Sequence, residues 1–289
     1  MIPPIVVKKK ITPFNKTITV NGDKSLSIRW ALVASQAIGK SRAYNLLRSS
    51  DVMSTLDCLK KLGVKVKLNN RFCEIESKGL NQFKTERNIT LNAGNSGTLG
   101  RLILGLLVHH KKKIKIIGDK SLSRRDFQRV TKPLSNFGAT FQTNSGKLPI
   151  YINGTNKPRP INFYENKGSA QCKSSIMLAA LNTKGITKIK AKKSRNHTEL
   201  LFKSLGLKIK VNKTNKYDLI EIKGKKKIKP LNYDIPSDIS SSAFFIILTA
   251  LSENSKLNIK NVNINPTRIG IIKILKMMGV KIKIKNPKI

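Results

Sequence analysis

Four stretches of this chain share one plan, and that repetition limits its fold more than any single motif does. Each opens on small and hydroxyl residues and runs into an apolar segment of helical length. A short strand and a polar loop follow, then a second helical segment that a glycine stops, and one further strand. The first reads KSLSIRWALVASQAIGKSRAYNLLRSSDVMSTLDCLKKLGVKVKL; the others begin at AGNSGTLGRL, SAQCKSSIML and SDISSSAFF. The stop glycines Gly63, Gly138, Gly206 and Gly279 lie 75, 68 and 73 residues apart. Glycine reaches the left-handed backbone that closes a helix without a side-chain clash. In the first stretch Leu26, Trp30, Val33 and Ala37 fall at helical spacing, as do Val52, Leu56 and Leu59. Repeated helix–strand units predict a layered α/β architecture.

With 289 residues the chain suffices for one large or two ordinary domains. Its net charge of +42 comes from 57 basic against 15 acidic residues, and only 12 of the basic ones are arginine. A nucleic-acid binder gains affinity from clustered cations by releasing counterions. Here, however, lysine is spread along the chain and alternates with Ile or Val, as in KIKIIG and VKIKIK. That alternation puts lysine on the wet face of a strand and the aliphatic residue on the core face. Aromatics make up 6% and are not interleaved with the basic runs as stacking platforms would be. A solvated lysine surface is therefore favoured over a nucleic-acid partner, although such a field still draws in small anionic substrates.

Several function classes drop out. The opening MIPPIVVKKKITPF has no long apolar core of a signal peptide, and no later run is long enough to span a membrane. Cys58, Cys73 and Cys172 are odd in number and unpaired in spacing, so neither a disulfide framework nor a zinc site is expected, and a reducing cytoplasm fits. His109, His110 and His197 make no metal-ligand pattern, and no dinucleotide fingerprint occurs. A zinc site and a flavin or nicotinamide cofactor are therefore not expected, and no Ser-His-Asp or Cys-His arrangement emerges.

The chemistry that remains is anion binding. Ser25 and Ser27, Gly94, Ser96, Gly97 and Thr98, and Ser169 stand where helices begin. Free N–H groups and small residues at a helix start bind anions, although the same hydroxyls also serve as ordinary caps. Lys24, Arg29, Arg101 and Lys173 add positive charge close to those starts. In a chain that uses lysine by default, Arg29, Arg48, Arg101, Arg125, Arg195 and Arg268 sit at unit starts or in loops, where guanidinium forks hold phosphate and carboxylate at two points. Arg42, Arg71, Arg87 and Arg159 read as surface. Asp238 reads as a helix cap, and His197 as a helix-start residue. The string GDKSLS occurs twice, at 22–27 and 118–123, each time followed by an arginine two positions later, Arg29 and Arg125. The first copy precedes the first helix of its repeat and the second follows a strand, so they are not an internal duplication; a shared chemical task, or chance in a lysine-rich chain, accounts for the match.

In order and spacing, GDKSLSIR, LNAGNSGTLGRL, GDKSLSRR, SAQCKSSIMLAAL, SRNHTELL, DISSSAFF and NPTRIGIIKILKMMG resemble the 5-enolpyruvylshikimate-3-phosphate synthase family. The resemblance spans nearly the whole chain. It implies transfer of the enolpyruvyl group of phosphoenolpyruvate to the 5-hydroxyl of shikimate 3-phosphate, with release of phosphate, on the route to chorismate and the aromatic amino acids. No metal or cofactor is implied. Lys24, Ser25, Arg29, Ser169, Ala170, Gln171 and Arg195 match positions that hold shikimate 3-phosphate in the family. Lys24, Gly97, Arg125 and Gln171 match positions that hold phosphoenolpyruvate. Ile28, where the family commonly has histidine, and Trp30 depart from the pattern.

The family fold implied is an inside-out α/β barrel of repeated helix–strand units, two domains of three units each. Here 21–232 would be a complete three-unit domain, and 1–20 with 233–289 part of a second. The chain would then lack the C-terminal third of the family's length. The family's catalytic aspartate would lie beyond Ile289, leaving no catalytic residue within the chain. On that expectation the chain alone is inactive, since losing a general acid or base costs about 10²–10⁴-fold, and a separate C-terminal polypeptide could complete it. Two rival readings are a UDP-N-acetylglucosamine enolpyruvyl transferase relative, whose catalytic cysteine loop has no counterpart here, and a basic nucleic-acid-binding protein.

Overall fold

A computed structural model of the chain describes residues 10–85 and 89–286, so the surface reading of Arg87 lies outside the described residues. The chain divides into two units. The larger runs Lys24–Ile235; the smaller joins chain on either side of it, its described residues being 10–23 and 236–286.

After β1 (Asn15–Thr19) of the smaller unit, three repeats build the larger one. The first holds α1 (Lys24–Ala34), β2 (Ile38–Tyr44), α2 (Ser50–Lys61), β3 (Lys65–Leu68) and β4 (Phe72–Lys78). The second holds β5 (Ile89–Asn92), α3 (Gly97–Leu107), β6 (Ile114–Ile117), α4 (Lys120–Ser123), α5 (Gln128–Ser135), β7 (Thr140–Asn144) and β8 (Lys147–Asn153). The third holds β9 (Asn162–Glu165), α6 (Ala170–Asn182), β10 (Ile186–Lys192), α7 (His197–Ser204), β11 (Ile209–Lys213) and β12 (Tyr217–Lys223). β13 (Asn232–Asp234) closes the larger unit, and α8 (Ile239–Ala250), β14 (Lys256–Lys260) and α9 (Gly270–Met277) return to the smaller one.

The larger unit carries three separate four-stranded sheets, not one closed barrel, and all three have the same topology: β13-β2-β4-β3, β5-β6-β8-β7 and β9-β10-β12-β11. In each, the strand after the first helix pairs in parallel with a lead strand and antiparallel with one strand of a hairpin. The repeats therefore end in a hairpin, where sequence periodicity predicts a single strand. Lysine and aliphatic residues alternate as expected: along β10, ITKIKAK, every second residue is buried and each lysine is exposed.

α1, α3 and α6 are buried along most of their length, with polar residues such as Arg29, Arg101, Lys173 and Ser174 enclosed among their apolar ones. Leu26, Trp30 and Val33 are in that core, whereas Ala37 is buried beyond the end of α1. Val52, Leu56 and Leu59 are the buried stripe of α2. The approach of α3 to α6 is close enough that a Cβ on Gly105 would come within 2.1 Å of the Ser175 carbonyl oxygen. The four stop glycines all adopt positive φ, +79° at Gly63, +107° at Gly138, +60° at Gly206 and +88° at Gly279.

In the smaller unit β1 and β14 pair in parallel, from Asn15↔Lys256 to Thr19↔Lys260. Asp238 caps α8 by accepting from the Ser240 N–H, and Arg268 reaches Asp238 at 3.3 Å and Asp23 at 3.6 Å. The strand expected after Gly279 does not form within 280–286. In the larger unit the equivalent strand is held by its hairpin partner, and no such partner pairs with 280–286 among the described residues.

Candidate functional site

Both copies of KSLS begin helices, α1 at Lys24 and the four-residue α4 at Lys120. The two strings thus share a local shape as well as a composition. Asp119 caps α4 by accepting from the Leu122 N–H at 2.7 Å. Its other oxygen accepts from Asn95 Nδ2 at 2.5 Å, and Asn95 Oδ1 accepts from Arg125 Nη2 at 3.4 Å. Those contacts hold the carboxyl of Asp119 below the ordinary carboxylate range. Arg125 is exposed.

Beside Arg125 lies the start of α3. Ser96 caps this helix and accepts from the Leu99 N–H at 3.2 Å. Gly97 follows, where a Cβ would stand 2.9 Å from Arg101 Nη1 and 3.2 Å from Arg125 Nη1. A side chain at 97 would displace two guanidiniums, so glycine here makes room for charge. Arg101 is buried. It donates to Gln171 Oε1 at 2.9 Å and to the Asp126 carbonyl at 3.0 Å, and it stacks over the Phe127 ring at 4.9 Å. Burial, then the cations of Arg129 and Arg125, push its pKa down. Three guanidiniums competing in this way mark an electropositive spot that an anion relieves.

α6 joins this cluster to a second one. Ser169 caps it, accepting from the Cys172 N–H at 3.2 Å, and Ala170 is its first residue. Gln171 also donates to Thr98 Oγ1 at 3.2 Å. One turn on, Ser174 meets Thr198 of α7 at 2.7 Å, and Arg29 of α1 reaches both, with Nε 3.0 Å from Thr198 and Nη2 3.4 Å from Ser174. Arg29 Nη1 donates to the Ser25 carbonyl at 3.1 Å, and Lys24 pairs with Asp51 of α2 at 3.1 Å. Arg195, exposed, stands two residues before α7 and three before Thr198.

One cluster therefore joins Ser25 through Arg29 to Thr198 at the start of α7 and to Ser174 within α6, with Lys24 next to Ser25 at the head of α1. A second cluster, linked to the first through the backbone of α6, joins Gln171 to Thr98, Arg101 and the Gly97 carbonyl with Arg125 beside them, and the two together draw on all three repeats of the larger unit. Ser174, Thr198 and Glu199 escaped sequence reasoning, because a hydroxyl or a carboxylate within a helix start looks like a cap. Of the remaining arginines, Arg42, Arg71 and Arg159 are exposed, with Arg42 paired to Glu74 at 2.7 Å; Arg48 is also exposed and donates to the Asn69 carbonyl. Arg268 belongs to the smaller unit.

Cys58 in α2, Cys73 in β4 and Cys172 in α6 are buried, and burial pushes each thiol up to about 12, so none is a nucleophile at neutral pH. Among the described residues no group of three or more His, Cys, Asp or Glu is placed to hold a metal ion, and no helix is long and apolar enough to cross a membrane.

A model of the family described as EPSP synthase (3-phosphoshikimate 1-carboxyvinyltransferase) matches residues 8–289. The 3-phosphoshikimate 1-carboxyvinyltransferase of Thermoanaerobacter sp. (strain X514) is 42% identical over 287 residues, covering 98% of this chain and 65% of its own length. That of Petrotoga mobilis is 41% identical over 290 residues, 98% of this chain and 66% of the relative. A solved EPSP synthase from Acinetobacter baumannii superposes with a TM-score of 0.87 at 35% identity, covering 96% of this chain and 62% of the solved one. The chain thus spans about two thirds of the length of the relatives it matches.

Proposed function

The chain belongs to the EPSP synthase family, and on that premise we propose that its larger unit binds shikimate 3-phosphate and phosphoenolpyruvate for enolpyruvyl transfer. In that reaction the 5-hydroxyl of shikimate 3-phosphate adds to C2 of phosphoenolpyruvate while C3 takes up a proton. The tetrahedral adduct then loses phosphate and a C3 proton, leaving the enol ether. Lys24, Ser25, Arg29, Ser169, Ala170, Gln171 and Arg195 hold the sugar-acid phosphate. Lys24, Gly97, Arg125 and Gln171 hold phosphoenolpyruvate, with Gln171 oriented for both by Arg101 and Thr98. Cations near the departing phosphate stabilise the charge that develops on it. The route requires no metal and no organic cofactor from the chain.

The observation that carries this reading is that α6 holds both clusters, Ser174 receiving Arg29 of α1 and Gln171 accepting from Arg101 of α3, beside two capped helix starts. Two-point guanidinium binding and helix N-termini both select for small, multiply charged oxyanions. A cytoplasmic setting suits three buried free thiols. The exposed apolar face of α8 in the smaller unit suits further helix–strand repeats of the same design, in a polypeptide that supplies the remainder of the relatives' length.

Calorimetric titration of the chain with shikimate 3-phosphate tests the proposal. Arg195→Ala, an exposed change, should leave the melting temperature unmoved and weaken binding by about 1.5–3 kcal/mol, roughly 10- to 150-fold. Absence of binding at millimolar ligand, or salt-sensitive affinity for a duplex DNA control alone, refutes it.

A further inference from the structure

Lys173 and Glu199 form an ion pair sealed inside the larger unit. Lys173 Nζ stands 2.5 Å from Glu199 Oε1, and the side chains are 0% and 4% exposed. Neither Nζ nor either carboxylate oxygen has a further hydrogen-bond partner among the described residues. Stability alone does not account for such a pair. Desolvating two charges costs about as much as their attraction returns, and well-packed apolar replacements are often neutral or stabilising.

Its position suggests the reason. Lys173 lies on α6 two residues after Gln171, and Glu199 lies on α7 four residues after Arg195. The neighbouring pair, Ser174 with Thr198, joins the same two helices at 2.7 Å and receives Arg29. Two adjacent polar links, 173 to 199 and 174 to 198, fix both the sliding and the rotation of α7 against α6. Apolar packing at the same place holds the helices together without fixing their register so tightly, since it is not directional. Fully covered, Lys173 has no route to touch a ligand, so its charge acts on the segments around it.

We propose that Lys173 and Glu199 are positioning residues: their pair sets the start of α7, and with it Arg195, at the spacing from Ser169, Ala170 and Gln171 that one shikimate 3-phosphate needs. The proposal rests on the reading that these two segments grip the same ligand. It predicts a loss of affinity without a loss of stability, which a merely structural pair does not produce.

The test compares the wild-type chain with the double variant Lys173→Met/Glu199→Leu, by thermal unfolding and by calorimetry with shikimate 3-phosphate. The expected result is a melting temperature equal to or above that of the wild type and binding weakened on the order of 10- to 100-fold, as for other misplaced binding groups. The charge-swapped variant Lys173→Glu/Glu199→Lys should recover most of that loss. If the wild type binds and the folded double variant binds within twofold of it, the proposal is wrong and the functional reading stands. If the wild type itself does not bind, the functional reading fails first and takes this one with it. Should the double variant not fold, Glu199→Asp keeps the charge pair one methylene shorter: weakening of several-fold supports the proposal, and wild-type affinity overturns it.

Discussion

Helices α6 and α8 open equivalent repeats and read alike, AQCKSSIMLAALN against ISSSAFFIILTA, yet they end in opposite environments. From Cys172 to Asn182 every residue of α6 is buried. On α8 only Ile239 and Ser242 are, while Phe244 is 78% exposed, and Leu251 just beyond the helix is 81% exposed. Met277 and Met278, at the end of α9, are 87% and 73% exposed. The difference lies in the neighbours. α6 packs against α3, α5, β10 and β12 of its own unit, whereas the smaller unit offers α8 only β14 and its surroundings. A run as apolar as α8 ordinarily specifies a helix meant for burial, and here that surface is left in water.

The largest expected effect separates the two units by a single methyl group. Gly105→Ala drives a Cβ to 2.1 Å from the Ser175 carbonyl at the α3–α6 contact, so the helices must part. Overpacking of this kind costs about 3 kcal/mol or more. Gly270→Ala, at the start of α9, meets nothing within 4 Å and should stabilise by at most about 1 kcal/mol. Trp30, the single tryptophan, is buried in α1, so its fluorescence during urea unfolding reports on the larger unit. Equal midpoints for Gly105→Ala and the wild type would break the contrast.

Local signals account for what was legible in the sequence. Stop glycines, hydroxyl caps and helical spacing act within a few residues, and Gly63, Ser96, Ser169 and Asp238 do what their neighbours imply. The lead strands were not legible. β13 joins β2 from 190 residues along the chain, Asn232 against Arg42, and a three-residue strand carries no periodicity of its own. The arginines stood out because guanidinium is scarce here. Lys173 reads in the sequence only as a cation beside a helix start; that it is sealed away from solvent against Glu199 is not legible, because its partner lies on another helix. Ser174 and Thr198 acquire meaning only through Arg29, which lies far away in sequence.

A smaller effect, again confined to the larger unit, is tied to pH. His109 is buried, its Nε2 lies 2.9 Å from the Ala179 carbonyl, and burial pushes its pKa down to about 4. Unfolded, the ring titrates near its ordinary 6.5. Between those values the unfolded chain binds the extra proton, so this contribution is complete above pH 6.5 and is lost as pH falls through 4. From pH 7.5 to 4.5 the loss is on the order of 2 to 3 kcal/mol. Burial shifts His110 in the same direction. His109→Asn should flatten the unfolding profile over this range, and an unchanged slope would place the pH dependence elsewhere.

The smallest effect on stability is also the sharpest test of the contrast. Phe244, Leu251 and Met277 spend their apolar surface in water, so replacing all three by serine removes almost no burial. Each change should alter stability by no more than about 0.5 kcal/mol. A dye that brightens on exposed apolar surface should lose most of its signal with the folded triple variant. Leu104→Ser in α3, which is fully buried, deletes packed methyl groups and leaves a hydroxyl inside, at a cost of about 2–5 kcal/mol. If the triple variant unfolds as readily as Leu104→Ser, α8 is already packed in solution and the two helices are alike after all. If it keeps its stability and loses the dye signal, the apolar face is open, and its serine form should also fail to capture any polypeptide that the wild-type face recruits.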